Sequence, residues 1–157
     1  GVEKVLGCDL PSRARRKVKA GQVIIASIEG SLQSCALISD EFNNALCSTG
    51  FYILDSDNIT PETLLVLFKS EPVQALLTQH CSGTILTAIT KDELLNMPLP
   101  RIGRSVQKQI SSKVQESFAL HHQSEQLLEN AKRAVEIAIE QGEDQAMAWL
   151  REKGVEC

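Results

Sequence analysis

Arg13, Arg15, Arg16, Lys17 and Lys19 place five positive charges within seven residues of a chain whose formal net charge is −4. A local reversal of sign is what contact with a phosphate backbone requires, because each neutralised phosphate releases condensed counterions. A solvated loop whose cations answer acidic groups of the fold accounts for the same run equally well. The other reactive side chains offer less. His80 and Cys81 are adjacent, an imidazole beside a thiol, but side chains one apart on a helix do not face each other as a nucleophile and its base must. His121 and His122 lack a third and fourth ligand at helical spacing, so no metal is expected there. The chain has no glycine-rich phosphate loop with a following Lys-Ser/Thr, no GxGxxG, no HExxH and no GxSxG, and no Asn/Asp-Pro-Pro-aromatic run of an amino-methyltransferase. The reading is binding rather than catalysis, with no cofactor.

Hairpin turns and a long helix must position these groups. Val2–Leu10 reads as a first strand that stops at Pro11-Ser12. Val23–Ile28, after a turn at Gly21, is β-branched and apolar enough to be buried on both faces. Glu29–Ser34 is a polar turn from which Gln33 or Ser34 could reach a base edge or a ligand, although a plain connecting turn is the commoner reading of such a stretch, and Cys35–Ile38 is the returning strand. A turn at Asn43-Asn44, a short strand over Ala45–Ser48 and a strand over Phe51–Leu54 complete a β-rich first part. At Thr60 the period changes. Thr60-Pro61-Glu62 is a helix start carrying Leu64, Leu65, Leu67 and Phe68, and Ser70-Glu71-Pro72 opens a second helix with Val73, Leu76 and Leu77 on one face, ended by Cys81-Ser82-Gly83. Gly83–Ile89 is a loop or short strand, and Thr90-Lys91-Asp92-Glu93 is a capping box before a short turn with Leu94 and Leu95.

The last third begins with the arm Met97-Pro98-Leu99-Pro100. No proline follows, and no glycine falls between Gly103 and Gly142, so nothing stops a helix until Gly142 ends or kinks it. Its apolar residues, including Val106, Ile110, Val114, Phe118, Leu127, Leu128, Ala131 and Val135, fall mostly three or four apart and gather on a stripe that needs a partner, expected to be another helix. Ser117, His121 and Ser124 interrupt the seam, and a long core helix of an ordinary α/β domain is the plainer alternative. Glu143–Lys153 makes one more amphipathic segment through Ala146, Trp149 and Leu150. The fold expected is α+β: residues 1–100 form a β-rich head with short helices, 101–141 a long helix that pairs as an antiparallel coiled coil, and 142–157 a helical tail.

The composition fits one folded domain. At 157 residues, with 43% apolar and 23% charged residues, the chain can bury one core and is not globally disordered. Its five cysteines are odd in number and form no close CxxC pair, which points to reduced thiols and a cytoplasmic setting. No apolar run reaches the length of a membrane span. The chain lacks an initiating Met and starts at once in a strand-like segment, and an upstream part of the fold is expected to be missing.

Pro11-Ser12-Arg13-Ala14-Arg15-Arg16-Lys17-Val18-Lys19-Ala20-Gly21-Gln22-Val23-Ile24-Ile25-Ala26-Ser27 resembles the segment of type I restriction-modification specificity subunits in which a basic run precedes a "Gly-Asp-Val-Leu-Ile-Ser" strand. The later order is similar too: a strand at Phe51–Leu54, a two-part helical segment, Gly83-Thr84-Ile85, then Ile89 to Pro100 ending in Met97-Pro98-Leu99-Pro100 where the family has an "Ile-Pro-Leu-Pro" arm leading into its spacer helix. The resemblance covers nearly all of residues 4 to 141. The family's "Pro-Pro-Leu-x-Glu-Gln" helix start is replaced by Arg101–Ile110, echoed only by Gln109-Ile110, and the family has two recognition domains and two spacer helices where this chain has part of one and one.

The resemblance implies a target recognition domain that docks on double-stranded DNA. Arg13, Arg15, Arg16, Lys17 and Lys19 would position the backbone, and Gln33 and Ser34 would read bases. It implies one half of a bipartite target, a helix that spaces two half-sites, partnership with adenine-N6 methyltransferase subunits and with restriction/translocase subunits, homodimerisation through the free stripe, and no catalysis by the chain itself. A protein-interaction adaptor that binds no DNA explains the helix and the acidic charge equally well. A small enzyme with an unlisted site ranks third.

Overall fold

The computed structural model describes residues 9–85 and 87–154. The chain divides into two compact units, Gly1–Ser111 and Ser112–Cys157. The expected strand at Val2–Leu10 lies outside the described residues except for Asp9 and Leu10, which form no strand.

The first unit is built on β2 (Val23–Ala26), the middle strand of a three-stranded antiparallel sheet between β3 (Cys35–Leu37) and β5 (Phe51–Leu54). Ile25 faces Cys35 on one side and Tyr52 on the other. Val23, Ile25 and Ala26 are at most 3% exposed, as expected of a strand covered on both faces by its neighbours and by helices. β1 (Ala14–Lys17) pairs with β4 (Leu46–Ser48) in a separate two-stranded ladder with an irregular step between Ala14 and Arg16. Asn44, at φ +67°, makes the turn before β4, a conformation that Asn tolerates better than other residues with a Cβ.

The helices close the core. Thr60 is extended and Pro61 opens α1 (Pro61–Lys69), where its missing N–H costs nothing. Ser70 is extended as well, ending α1 and starting α2 (Glu71–Gln79) in one residue. Its hydroxyl donates to the Leu67 carbonyl at 2.6 Å, satisfying one of the acceptors that a helix end leaves open. α1 packs on β2, β3 and α2, burying Leu64, Leu65, Leu67 and Phe68 beside Val73 and Leu77 of α2.

The chain past α2 differs from the sequence reading. The helix stops at Gln79, and Cys81–Ser82 is a short strand, β6, paired with β7 (Ala88–Ile89), not the end of a helix. Ile28 bridges to Ala88 and Tyr52 Oη donates to the Ile89 carbonyl at 3.0 Å, which ties this ladder to the main sheet. α3 (Lys91–Asn96) starts with the expected capping box, Thr90 Oγ1 accepting from the Glu93 N–H and the Glu93 carboxylate accepting from the Thr90 N–H.

α4 runs from Arg104 to Gln141, 38 residues, or about 57 Å at the α-helical rise. It ends where Gly142 takes φ +96°, a backbone state that glycine enters without strain, and α5 (Glu143–Glu152) follows. Among the described residues of the second unit, Ala134, Ile137 and Ala146 are the buried side chains. The α+β class read from the sequence is the class observed. No helix among the described residues is long and apolar enough to cross a membrane.

Candidate nucleic-acid interface

The basic run is a strand edge. Along β1 and its continuation Arg13, Arg15, Lys17 and Lys19 are exposed, while Ala14, Arg16 and Val18 are half-buried or buried, the alternation that a pleated strand imposes. Arg15 and Lys17 therefore stand on the solvent side of β1, with Arg13 exposed in the turn before it and Lys19 exposed just past its end. Arg15 is further restrained by donating from Nε to the Ser12 carbonyl at 2.6 Å. The fifth cation has a different job. Arg16 points to the other side, donates to the Phe51 carbonyl and lies 5.8 Å from the centroid of the Tyr52 ring, so its guanidinium joins β1 to β5. Its place in the sequence cluster hides this, because composition gives no sign of which side of a strand each charge takes.

Gln33 and Ser34 are exposed on the turn that leaves β2 through Glu29–Ser31, a short 3-10 segment, and enters β3. The turn is rigidly mounted. Leu32 is 2% exposed, and Gln74 of α2 donates from Nε2 to the carbonyls of Leu32 and Phe68 at 3.2 and 2.5 Å. Glu29 N donates to the Thr87 carbonyl at 3.0 Å. The two side chains sit in a shallow depression that Glu29, Glu71, Ala75 and Thr78 also line, so carboxylates flank them and cations do not. They are on a different sheet from the basic strand. The hydrogen bonds nevertheless bring the Arg13 end of β1 to the turn's end of β2: the Arg13 carbonyl accepts from Thr49 N, and the Gly50 carbonyl accepts from both N and Oγ of Ser27.

A residue that the sequence reading missed anchors the long helix. Gln107 is 5% exposed. Its Nε2 donates to the carbonyls of Asn58 and Ile102 at 3.1 and 2.9 Å, and its Oε1 accepts from Thr60 N at 2.9 Å. One turn on, Ser111 Oγ is 3.0 Å from Thr60 Oγ1 and donates to Glu62 Oε2 at 3.0 Å. The first two turns of α4 are thus bound to the start of α1, and every polar atom of the Gln107 amide has a partner, as burial demands. Gln109, the residue that echoes the family's helix start, is exposed. The available signal was that Gln107, Ile110, Ser111 and Val114 share one face at i, i+3, i+4 and i+7, but a face half polar does not announce itself as buried.

On the same helix Val106, Phe118, Leu127, Leu128 and Val135 are 48% to 60% exposed and Ala131 is exposed, whereas Ile110 and Val114 are half-buried. The reactive candidates come to nothing as a constellation. His80 caps α2 and donates from Nδ1 to the Leu76 carbonyl at 2.8 Å, which commits the imidazole, and Cys81 lies in β6 with its thiol pushed up by burial and by Glu29 and Glu93. His121 lies 3.5 Å from Glu125 in the exposed middle of α4. Among the described residues no three His, Cys, Asp or Glu side chains converge as metal ligands.

No protein-family model matches the sequence, and no curated protein matches it. Solved structures do. One is the HsdS subunit from Thermoanaerobacter tengcongensis, 27% identical with a TM-score of 0.57, and another comes from a study of complex assembly and conformational transition of the type I R-M system, 26% identical with a TM-score of 0.56. In each case the match covers 87% of this chain and 35% of the other, so this chain spans about a third of their length. The resemblance read from the ordered motifs thus holds in three dimensions: over most of its length this chain is similar to the specificity subunits of type I restriction-modification systems.

Proposed function

We propose that this chain is the DNA-recognition part of a type I restriction-modification specificity subunit, reading one half of a bipartite target and catalysing nothing itself. The observation that carries the reading is the exposed edge Arg13, Arg15, Lys17 and Lys19 on a head similar to those of HsdS subunits. Arg15 and Lys17 stand on β1, Arg13 precedes it in a turn and Lys19 follows its end, so four exposed cations within seven residues are available to several backbone phosphates. These side chains hold the duplex in register and the rigid turn presents Gln33 and Ser34 to base edges, where an amide has the bidentate geometry to take adenine. α4 is a spacer of fixed length, and Val106, Ile110, Val114, Phe118, Leu127, Leu128, Ala131 and Val135 supply its seam for a second helix in an antiparallel coiled coil. The partners are double-stranded DNA, adenine-N6 methyltransferase subunits and restriction/translocase subunits, in the cytoplasm.

Selection from a pool of random duplexes tests this reading. A defined half-site enriched at low salt is the expected result. The net charge of −4 and the carboxylates beside Gln33 favour a second reading, a protein-interaction adaptor with a coiled-coil helix. Failure to retain any duplex at low salt would select it.

A further inference from the structure

Two adjoining depressions, of about 400 and 620 Å³, lie where the arm before α4 meets the loop before α1. Asn58, Ile59, Arg104 and Gln107 line both, so the two form one open cleft. Its floor is fixed. Ile59 is half-buried, and the Gln107 amide holds the backbone at Asn58, Thr60 and Ile102 in place. Around that floor stand three exposed cations, Arg101, Arg104 and Lys108, and one carboxylate, Asp57.

The ion pairs of α4 single these cations out. The other three cations of the helix are each answered three residues away: Lys113 by Glu116 at 2.8 Å, Lys132 by Glu129 at 3.5 Å and Arg133 by Glu136 at 2.7 Å. Arg101, Arg104 and Lys108 form no ion pair among the described residues. Arg104 and Lys108 are also four apart on the helix, a like-charge spacing that opposes helix formation. Three cations against one carboxylate leave a charge of +2 in one concave place, on a chain whose net charge is −4. A bound anion relieves that repulsion.

We propose that this cleft binds a group of linked phosphates, with Arg101, Arg104 and Lys108 as its ligands. Each guanidinium offers parallel N–H donors to phosphate oxygens, and the Lys108 ammonium adds a more mobile contact. Linked phosphates fit better than a single carboxylate, because the three cations are spread over two adjoining depressions and Arg104 borders both. No aromatic side chain is among the residues that line the cleft, so none stacks on a base and the phosphates carry the recognition. A free nucleoside triphosphate and a duplex backbone share this chemistry. None of the cations of β1 lines the cleft, and the site goes beyond the base-reading role proposed above.

Calorimetric titration of the full chain with sodium tripolyphosphate at low salt tests the assignment. One saturable site is expected, weakened about tenfold in Arg101→Gln/Arg104→Gln/Lys108→Gln, a loss within reach of three exposed charge pairs together. The substituted side chains are exposed, so the unfolding midpoint without ligand is expected to stay in place. Lys108→Gln alone gives a second reading, expected to be about twofold weaker than the wild type. Arg13→Ala/Arg15→Ala/Lys17→Ala/Lys19→Ala is expected to bind tripolyphosphate as the wild type does. No saturable heat, an affinity unchanged in the triple variant, or a loss confined to the β1 variant would overturn the inference. Competition names the source: displacement of tripolyphosphate by ATP alone supports a free nucleotide, and displacement by a random duplex supports the backbone. Displacement by neither would mark tripolyphosphate as an adventitious ion only and overturn the inference. A chain that binds tripolyphosphate and ATP but retains no duplex would keep the cleft and lose DNA recognition, whereas selection of a half-site without tripolyphosphate binding would do the reverse.

Discussion

The two ends of α4 treat their side chains in opposite ways. Near its start a glutamine is enclosed and a serine half-buried, Gln107 at 5% exposure with all its amide atoms bonded, while in its second half Leu128, Val135 and Ile139 stand 59%, 60% and 80% exposed. Hydropathy alone would assign these fates the other way round. The difference teaches that polarity does not decide burial; satisfaction of hydrogen bonds and the presence of a covering surface do. The Gln107 amide supplies what the loop backbone at Asn58, Thr60 and Ile102 would otherwise lack. The apolar stripe has no comparable cover among the described residues.

Substitutions that invert each end sharpen the contrast. Leu77→Ala sets the scale for the core, since Leu77 is fully buried; urea unfolding is expected to show a loss of about 3 kcal/mol. Gln107→Ala leaves two carbonyls and one N–H without their partner and is expected to cost about 2 kcal/mol in the same measurement. A cost below about 0.5 kcal/mol would mean that water replaces the amide and that the anchor is not structural. By comparison Leu128→Ala, at an exposed site, is expected to stay within about 0.5 kcal/mol in the isolated chain.

The same comparison applies within the basic strand. Arg16→Ala removes the link to Phe51 and the Tyr52 ring and is expected to cost about 1 kcal/mol of stability. Arg15→Ala and Lys17→Ala lie on the open side and are expected to leave stability unchanged, each lowering the salt dependence of DNA binding by about one phosphate. The reverse assignment would place the wrong side of β1 against the duplex.

Smaller effects follow from titration. Burial pushes the Cys35 thiol up to about 11, from an ordinary value of 9.0, against the opposing pull of Lys69. Its folded value lies above its unfolded one, so the stability it contributes is complete below pH 9 and is lost as pH rises toward 11. Alkylation of the native chain at pH 8 is accordingly expected to label the less buried Cys47 and Cys81 before Cys35. The Glu93 carboxyl is held low by the hydroxyl and N–H of Thr90; the support it gives to α3 is present above the ordinary carboxylate range and fades as pH falls through the lowered value.

Local signals in the sequence carried much of this. Phe51–Leu54, the Pro61 start of α1, the Thr90–Glu93 capping box and the stop at Gly142 all appear where turn chemistry and period put them. What was not legible depends on partners distant in sequence. β1 reads as a charge run because its strand character comes from pairing with β4, some 30 residues on. Arg16 and Arg15 are indistinguishable until β5 supplies Phe51 and Tyr52. Gln107 has no signature at all until the loop at Asn58–Thr60 is folded beside it.

The most direct test of DNA recognition is the slope of log Kd against log salt for the full chain on a selected duplex, beside the variant Arg13→Ala/Arg15→Ala/Lys17→Ala/Lys19→Ala. Four phosphate contacts predict a slope shallower in the variant by about 3.6, at about 0.9 per phosphate, with an unchanged unfolding midpoint. Equal slopes for the two proteins, or no duplex binding by the wild type at low salt, would contradict the account.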